Sequence, residues 1–211
     1  MSIMIGIPVI FNANCVRTCI EHLQNQNAEV FIIDNNSDKT IKKIIEPYRK
    51  IVNPQNVYVN PAWNQILEEF LKSDHDVVVI MNSDLYLKHD VVQKLSELDL
   101  DKEKTIACLN LVDNFSDCER QITYARDGIA GVFIPLTKKM AREVYPIPPE
   151  IKIWFGDNWI YEKLKKIGYQ FTIFNDLQAR HIWSSSVGVL PEAHQVIEQD
   201  KLAWLTVQTR I

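Results

Sequence analysis

The chain has 211 residues and a formal net charge of −4 at pH 7, with 46% hydrophobic and 24% charged residues. This composition is typical of a globular protein, and the acidic balance argues against a nucleic-acid surface. No apolar segment approaches the roughly 18 residues of a membrane-spanning helix. The four cysteines lack the spacing of a zinc site, and the N-terminus lacks the features of a signal peptide. We therefore expect free thiols and a cytoplasmic location.

In the first half of the chain, short apolar runs alternate with amphipathic segments. Strands are predicted at residues 3–11, 30–33, 56–60, 76–81 and 105–112. Helices are predicted after residue 14, over 40–50, after residue 61 and over 90–98. Strands that alternate with helices are usually joined by right-handed crossovers in a mostly parallel sheet. Residues 1–112 are therefore predicted to form an α/β unit.

The second half is less regular. A loop and an edge hairpin are predicted over 113–126, a strand over 128–135, and a helix that Thr137 caps and that runs to Tyr145. A further helix opens at Gly156 and closes at Gly168. It is followed by a strand over 169–174, a loop over 181–186 and a terminal helix over 191–207. No linker separates the two halves, so we expect residues 1–211 to form a single domain.

One buried strand ends in polar residues that can carry chemistry. Its apolar run, VVVIM, stops at Asn82, Ser83 and Asp84. In open α/β sheets, ligands bind beyond the carboxyl ends of the strands. A carboxylate at that point can hold a divalent cation against a diphosphate, which makes Asp84 a candidate metal ligand. The alternative is that Asp84 only forms a turn as the chain leaves the strand.

Polar residues also mark other ends of buried elements, at Asp34, Asp157 and His181. No G-x-G-x-x-G follows the first strand and no Walker P-loop occurs, which disfavours dinucleotide-binding proteins and P-loop kinases. No G-x-S-x-G elbow supports a hydrolase. The sequence therefore points to these carboxylates and this imidazole as the groups that carry chemistry.

Five segments in this order resemble the GT-A glycosyltransferases, and among them the family 2-like inverting enzymes. They are IIDNNS at 32–37, NPAWN at 60–64, MNSD at 81–84, GVF at 131–133 and FGD at 155–157. The resemblance spans residues 3–186 and implies a GT-A fold, with a Rossmann-like, mostly parallel central sheet and flanking helices. It also implies a nucleotide-binding half, residues 1–112, and an acceptor and catalytic half, residues 113–211. The small size is similar to that of a viral glycosyltransferase domain, which would work in the host cytoplasm.

The resemblance implies a metal site around Asp84. Asn82, Ser83 and Asp84 stand where the family carries D-x-D, whose last aspartate ligates Mn²⁺ or Mg²⁺ against the diphosphate of a UDP-sugar. Asn82 replaces the first aspartate and brings no charge, which leaves one carboxylate in the motif. His181 resembles a late histidine that completes the metal site in some of these enzymes. A packing role for His181 is the alternative.

The resemblance also implies residues that bind the nucleotide. Asp34 matches an aspartate that accepts a hydrogen bond from the uracil N3–H, which suits a carboxylate because it can only accept. Pro8 and Val9 would line the base through backbone groups. Asn64 matches an asparagine near the nucleotide. An Asx turn at Asp34 and a packing role for Asn64 are the alternatives.

Asp157 resembles the catalytic base of the family, at the start of a helix. Inverting transfer needs one carboxylate that takes the proton of the acceptor hydroxyl. The preceding family glutamate is Gly156 here, and a helix-capping role for Asp157 is the alternative, which is compatible with the first. The neighbouring Trp154, Phe155 and Trp159 are expected to form a wall on which a sugar stacks.

Three other segments have predicted roles. Trp183 and the serines at 184–186 are expected to form a loop that closes on the diphosphate. The polar segment 113–126, with Arg120, Tyr124 and Arg126, is a candidate wall for the acceptor or the donor sugar. The literal D-x-D at Asp99 to Asp101 follows a helix in an acidic stretch and is interpreted as a decoy.

The sequence thus predicts a metal-dependent glycosyltransferase that moves a hexose from a UDP-sugar to a glycan acceptor hydroxyl with inversion. Two alternatives stay open. A sugar nucleotidyltransferase would share the sheet and the metal, but it would normally carry a basic, glycine-rich loop where this chain has Asn12-Ala13-Asn14. A non-catalytic module that binds a nucleotide-sugar or a glycan is favoured by Asn82. A place in a longer multidomain protein also stays open.

Overall fold

The computed structural model describes residues 1–125, 131–182 and 190–211. Within these residues, the strands are β1 (Ile3–Val9), β2 (Glu29–Asp34), β3 (Arg49–Val52), β4 (Val77–Met81), β5 (Leu85–Leu87), β6 (Thr105–Leu111), β7 (Ile122–Ala125), β8 (Phe133–Thr137) and β9 (Gln170–His181). The helices are α1 (Ala13–Leu23), α2 (Lys39–Ile44), α3 (Val59–Lys72), α4 (Val91–Ser96), α5 (Lys138–Val144), α6 (Gly156–Lys166) and α7 (Ala193–Val207). A short 3₁₀ turn, Gln208–Arg210, follows α7.

The main sheet has five strands in the order β3-β2-β1-β4-β8. The first four are parallel, and β8 is antiparallel to β4. All five residues of β4 are fully buried, because helices cover both faces of a parallel sheet and leave apolar side chains on each side. This sheet confirms the predicted α/β class.

A second sheet has the order β5-β9-β6, with β7 also paired to β9. Strand β6 is parallel to β9, whereas β5 and β7 are antiparallel to it. The register of β6 against β9 shifts between Leu109 and Asn110. Strand β9 is thus the centre of this sheet, and its C-terminal end lies beside β5.

Local signals in the sequence explain several helix ends. The Asn12 side chain accepts a hydrogen bond from the Cys15 N–H and caps α1, and Thr137 caps α5 in the same way through the Met140 N–H. Gly168 has a φ of 92° after α6, as predicted for a helix-closing glycine. The predicted cap at Thr137 and the predicted end at Gly168 are both confirmed.

The third strand was placed wrongly by the sequence pattern. Residues 56–60 do not form a strand; β3 lies at Arg49–Val52, and the predicted helix over 40–50 ends at Ile44. Tyr58 has a φ of 68°, and its N–H is bonded to the Asn56 side chain, so the backbone turns here and enters α3. The alternating Val57 and Val59 resemble a strand, but no strand among the described residues pairs with them.

The later strands also differ from the prediction. Strand β6 exists where expected but belongs to the second sheet, so residues 1–112 do not form one sheet. Instead of a hairpin, β7 pairs with β9. Strand β9 continues to His181, which therefore ends a strand and does not start a loop. The strand predicted over 128–135 is β8 at Phe133–Thr137, and residues 128–130 lie outside the described residues.

No helix among the described residues has the length and apolarity to cross a membrane.

Candidate active site

A cavity of about 420 Å³ lies at the carboxyl ends of β1, β2 and β4. This is the position at which ligands bind in open α/β sheets. The lining comprises Pro8, Val9, Ile10, Phe11, Asn35, Asn56, Tyr58, Val59, Trp63, Asn82, Ser83, Asp84, Gly131, Val132, Ile153, Trp154, Phe155, Asp157, Asn158, His181, Leu190 and Ala193. Seven of the residues predicted for the site, Pro8, Val9, Asn82, Ser83, Asp84, Asp157 and His181, are therefore brought together.

Asp84 and His181 face each other at one side of the cavity. The antiparallel pairing of β5 with β9 places Leu85 opposite His181, and the Ile182 N–H donates to the Asp84 carbonyl. The His181 Nε2 lies 3.3 Å from the Asp84 Oδ1, and both side chains are buried. The strand pairing thus joins two polar groups that are far apart in the sequence.

The chemistry of this pair fits a divalent cation as two protein ligands. A carboxylate oxygen and an imidazole nitrogen both suit Mn²⁺, and the carboxylate also suits Mg²⁺. Among the described residues, no group of three His, Cys, Asp or Glu side chains could hold a metal ion by itself. A cation held by these two side chains would have coordination positions left for other groups, such as a bound molecule or water.

Asp157 also lines the cavity and lies in the first turn of α6. Its Oδ1 accepts from the Asn158 N–H at 2.9 Å, and its Oδ2 accepts from the Gly131 N–H at 3.2 Å. Burial raises the pKa of this carboxyl above its ordinary value, while the backbone N–H groups of Asn158, Gly131 and Asp157 itself oppose the rise. The N-cap residue of α6 is Phe155, so Asp157 does not cap the helix as the alternative predicted but lies in its first turn, with a place at the cavity.

Gly131 is packed tightly against Asp157. A Cβ at this position would lie 2.4 Å from the Asp157 Cβ and 2.8 Å from its Oδ2, closer than real Cβ atoms approach. The Gly131 N–H is also one of the two donors to the carboxylate. A glycine is therefore required for the carboxylate to keep this orientation.

The aromatic wall predicted beside Asp157 is formed by two of its three members. Trp154 is 44% exposed and lines the cavity with Phe155. Trp159 is buried, and its Nε1 donates to the Val144 carbonyl, so it packs between α6 and α5. Trp159 was predicted wrongly because it belongs to the buried face of α6, together with Ile160 and Leu164, and not to the cavity wall.

Asp34 is 1% exposed and is not among the residues that line the cavity. Its Oδ1 accepts from both the N–H and the hydroxyl of Ser37, three residues on, so the carboxylate closes a local turn, a structural role like the Asx turn named above as the alternative. The next residue, Asn35, reaches the cavity. Its side chain accepts from the Asn53 amide and donates to the Tyr58 carbonyl.

Asn64 was predicted near the nucleotide, and the structure places it elsewhere. Its Nδ2 donates to the Ile147 carbonyl, and its Oδ1 accepts from the Ile147 N–H. Because both ends of the amide bind one backbone unit, Asn64 joins α3 to the segment after α5 and does not line the cavity.

Two residues that line the cavity, Asn35 and Tyr58, were not indicated by the sequence. They lie in turns or have a positive φ, and no regular sequence pattern marks such positions.

The remaining candidates lie away from the cavity or outside the described residues. Arg120 is paired with Asp176 at 2.9 Å, and Tyr124 is exposed on β7. The Asp101 Oδ1 accepts from Thr137 and Tyr169, which agrees with the interpretation of 99–101 as a decoy. Arg126 and the proposed lid at 183–186 fall outside the described residues.

The chain belongs to glycosyl transferase family 2, whose family model matches residues 4–165. A search of curated proteins finds no match to the chain. This membership confirms the family resemblance that the sequence motifs indicated. A viral origin is not supported by these findings and stays a prediction.

Solved glycosyltransferases share the fold. S. aureus TarS 1-349 is 12% identical, with a TM-score of 0.66 over 98% of this chain and 72% of that one. The same fragment in complex with UDP is 13% identical, with a TM-score of 0.66 over 96% of this chain and 65% of that one. GalNAc-T7 with UDP, GalNAc and Mn²⁺ is 12% identical, with a TM-score of 0.63 over 95% and 48%. A further S. aureus TarS structure is covered only to 40%, so the chain spans part of the length of these proteins. The comparisons confirm the predicted GT-A fold.

Proposed function

We propose that this protein transfers a hexose from a UDP-sugar to a hydroxyl of a glycan acceptor, with inversion at the anomeric carbon. The observation that carries the proposal is the placement of Asp84 and Asp157 on one cavity at the carboxyl ends of the parallel strands. Family membership and the likeness to a TarS structure that contains UDP support the same conclusion. We also propose that residues 1–211 form a single domain, in which residues 1–112 are the nucleotide-binding half and residues 113–211 the acceptor and catalytic half.

The nucleotide would occupy the part of the cavity formed by β1 and β2. Pro8, Val9 and Asn35 line this part and would line the base, with the Val9 carbonyl already accepting from the Asn35 N–H. We assign Asp34 an indirect role, because its Oδ1 is already bonded to Ser37 and fixes the turn that carries Asn35. Replacing Asp34 by Ala should therefore weaken UDP binding through the loss of this turn.

Asp84 and His181 would hold Mn²⁺ or Mg²⁺ beside the diphosphate. When bound, the ion supplies Lewis-acid stabilisation of the negative charge on the leaving group. Ser83 and the neutral amide of Asn82 line the same edge of the cavity and can bond to hydroxyl groups of the donor. Asp84 is then the one carboxylate of the MNSD motif that offsets the charge of the ion.

Asp157 would act as the general base. The acceptor oxygen forms a bond to the anomeric carbon while the bond from that carbon to the diphosphate oxygen breaks. The hydroxyl proton passes to Asp157, and UDP leaves. General-base help of this kind is worth about 10²- to 10⁴-fold in rate. The exposed Trp154 beside Asp157 would stack on a sugar ring of the acceptor.

The proposal is tested first by binding. UDP, GDP and CDP are titrated into the protein by calorimetry with and without Mn²⁺, and UDP-sugars are screened by thermal shift. We expect UDP to bind more tightly than GDP or CDP, with a gain from Mn²⁺. Donors that stabilise the protein are then incubated with sugar acceptors, and released UDP and the anomeric configuration of the product are measured.

Two outcomes would contradict the proposal. Tight UDP-sugar binding without UDP release for any acceptor would identify a binding module. Release of pyrophosphate from a nucleoside triphosphate and a sugar phosphate would identify a nucleotidyltransferase. A product that keeps the donor configuration would overturn inversion alone.

A further inference from the structure

The backbone that precedes α6 is held by one buried carboxylate of α7. Asp200 is 1% exposed. Its Oδ1 accepts from the Lys152 N–H at 2.8 Å, and its Oδ2 accepts from the N–H groups of Ile153 and Trp154 at 2.7 and 2.8 Å. One side chain therefore fixes three consecutive backbone donors of a segment that lines the cavity.

The carbonyl groups of the same segment are held by α3. The Asn60 N–H donates to the Lys152 carbonyl at 2.9 Å, and the Asn60 Nδ2 donates to the Trp154 carbonyl at 2.9 Å. Gly156 packs so closely that a Cβ there would lie 2.0 Å from the Asn60 Oδ1. The segment is thus clamped between α3 and α7.

The last residue before α6 is in a conformation that needs support. Phe155 has a φ of 64°, in the left-handed region that non-glycine residues rarely adopt. Its ring stacks on Trp204 of α7, with centroids 5.1 Å apart and planes 7° apart. Helix α7 therefore supports the turn through a hydrogen-bonded carboxylate and through a stacked aromatic pair.

We propose that Asp200 is a positioning residue for the transfer reaction, which holds the 152–155 turn so that Trp154 and Asp157 face the cavity. This inference rests on the proposed function, and it extends the active site to a helix beyond the residues that the family model matches. Asp200 itself does not line the cavity. Its effect on the reaction must therefore pass through the turn.

The variant Asp200→Asn keeps the size of the side chain but turns one acceptor into a donor that faces a backbone N–H. Glu198→Gln is the matched control, because Glu198 lies on the same helix, its side chain is 68% exposed and it loses the same charge. For Asp200→Asn we expect the kcat of UDP release to fall about 10- to 100-fold, the range for a small misplacement of reacting groups. The Kd for UDP with Mn²⁺ should stay within about twofold of the parent, as Asp84 and His181 lie outside the turn.

Hydrogen exchange supplies a readout that does not depend on activity. The amides of Lys152, Ile153 and Trp154 should be protected in the parent and in Glu198→Gln, and should exchange faster in Asp200→Asn. If Asp200→Asn does not fold, Trp204→Leu provides the test, since it removes the stack under Phe155 and leaves no buried polar group unpaired. We expect Trp204→Leu to lower kcat at an unchanged Kd for UDP.

Two results would overturn the inference. The first is a kcat for Asp200→Asn equal to that of Glu198→Gln, despite faster exchange at the three amides. The second is a parallel change in kcat, Kd for UDP and exchange throughout the protein, which would make Asp200 a purely structural residue. A parent protein that releases no UDP from any donor would instead contradict the proposed function, and the amide exchange would still report whether Asp200 holds the turn.

Discussion

At the scale of single residues, the two carboxylates of the cavity have different surroundings. Asp84 faces the imidazole of His181, whereas Asp157 is partly buried and accepts only backbone N–H groups from the described residues. Because the His181 imidazole can bind a cation together with Asp84, Asp84 is suited to neutralise the charge of a metal ion. The raised pKa of Asp157 suits that carboxylate to proton transfer. The same chemical group can thus serve two roles because its environment differs.

Asp157 gives the first prediction, a pH profile. Because burial raises its pKa and the ionised form is the base, activity should fall on the acid side at pH values where an ordinary aspartate, with a pKa of about 3.9, is still ionised. Asp157→Asn should remove this dependence and lower kcat about 10²-fold or more, with UDP affinity unchanged. Initial rates of UDP release across the pH range measure both.

Glu162→Gln is the control for Asp157→Asn, since Glu162 lies on the same helix and pairs with Lys165 at the surface. It should behave as the parent. A parental profile with no acid limb, or a variant with full turnover, would remove Asp157 from the base position.

Asp84 gives the second prediction, a loss of metal dependence. Changes to the outer shell of a metal site already cost about 10- to 100-fold in affinity, so Asp84→Asn should cost at least tenfold in the affinity for Mn²⁺. Calorimetry should then find the same Kd for UDP with and without Mn²⁺. Asp99→Asn, at the exposed first residue of the D-x-D decoy, should keep the full effect of the ion; a loss there instead would place the metal elsewhere.

At the scale of elements, the contact between α6 and the chain before β8 sets the orientation of the base. Gly131→Ala would place a methyl group 2.4 Å from the Asp157 Cβ and displace the carboxylate. We expect a fall of about 10- to 100-fold in kcat with UDP affinity unchanged, because the misplacement affects only the base. Steady-state rates and calorimetry on the variant measure these quantities.

Gly168→Ala is a contrasting control for Gly131→Ala. Its added methyl group meets nothing within 4 Å, but its φ of 92° strains an alanine. We expect it to lower the free energy of unfolding by about 1 kcal/mol and to leave kcat unchanged. Equal kinetic effects at the two glycines would show that general destabilisation, and not the orientation of Asp157, explains the loss.

The elements also show what could be predicted from the sequence. The run VVVIM, the cap at Thr137 and Gly168 are local signals, and each was located correctly. The pairing of β5 and β7 with β9 depends on residues distant in sequence, which no local pattern encodes. At 56–60, alternating valines indicated a strand, but the positive φ of Tyr58 starts a helix instead. The sequence indicated Asp34 as a functional residue. Its carboxylate instead bonds to Ser37 and forms a turn, and the neighbouring Asn35 lines the cavity.

At the scale of the whole molecule, the distribution of thiols offers a measure of the intact fold. Cys15, Cys19 and Cys108 are buried, and Cys118 is exposed. Burial raises the pKa of Cys108 to about 12 and also raises that of Cys19, so little thiolate forms there at neutral pH. Mass spectrometry after brief alkylation at pH 7 should find one modified thiol per chain, at Cys118, and four after unfolding in urea. Rapid labelling of a second thiol in the native protein would contradict this packing.

The central place of β9 in the second sheet bears on how shortened versions of this protein should be designed. The family match stops at residue 165, whereas β9 and its terminal His181 come afterwards. A version cut at that boundary would retain all five strands of the main sheet, yet β5 and β6 would lose the strand that lies between them. Asp84 would then have no imidazole opposite it, so expression boundaries taken from the family match alone would produce a protein that lacks half of its proposed cation site.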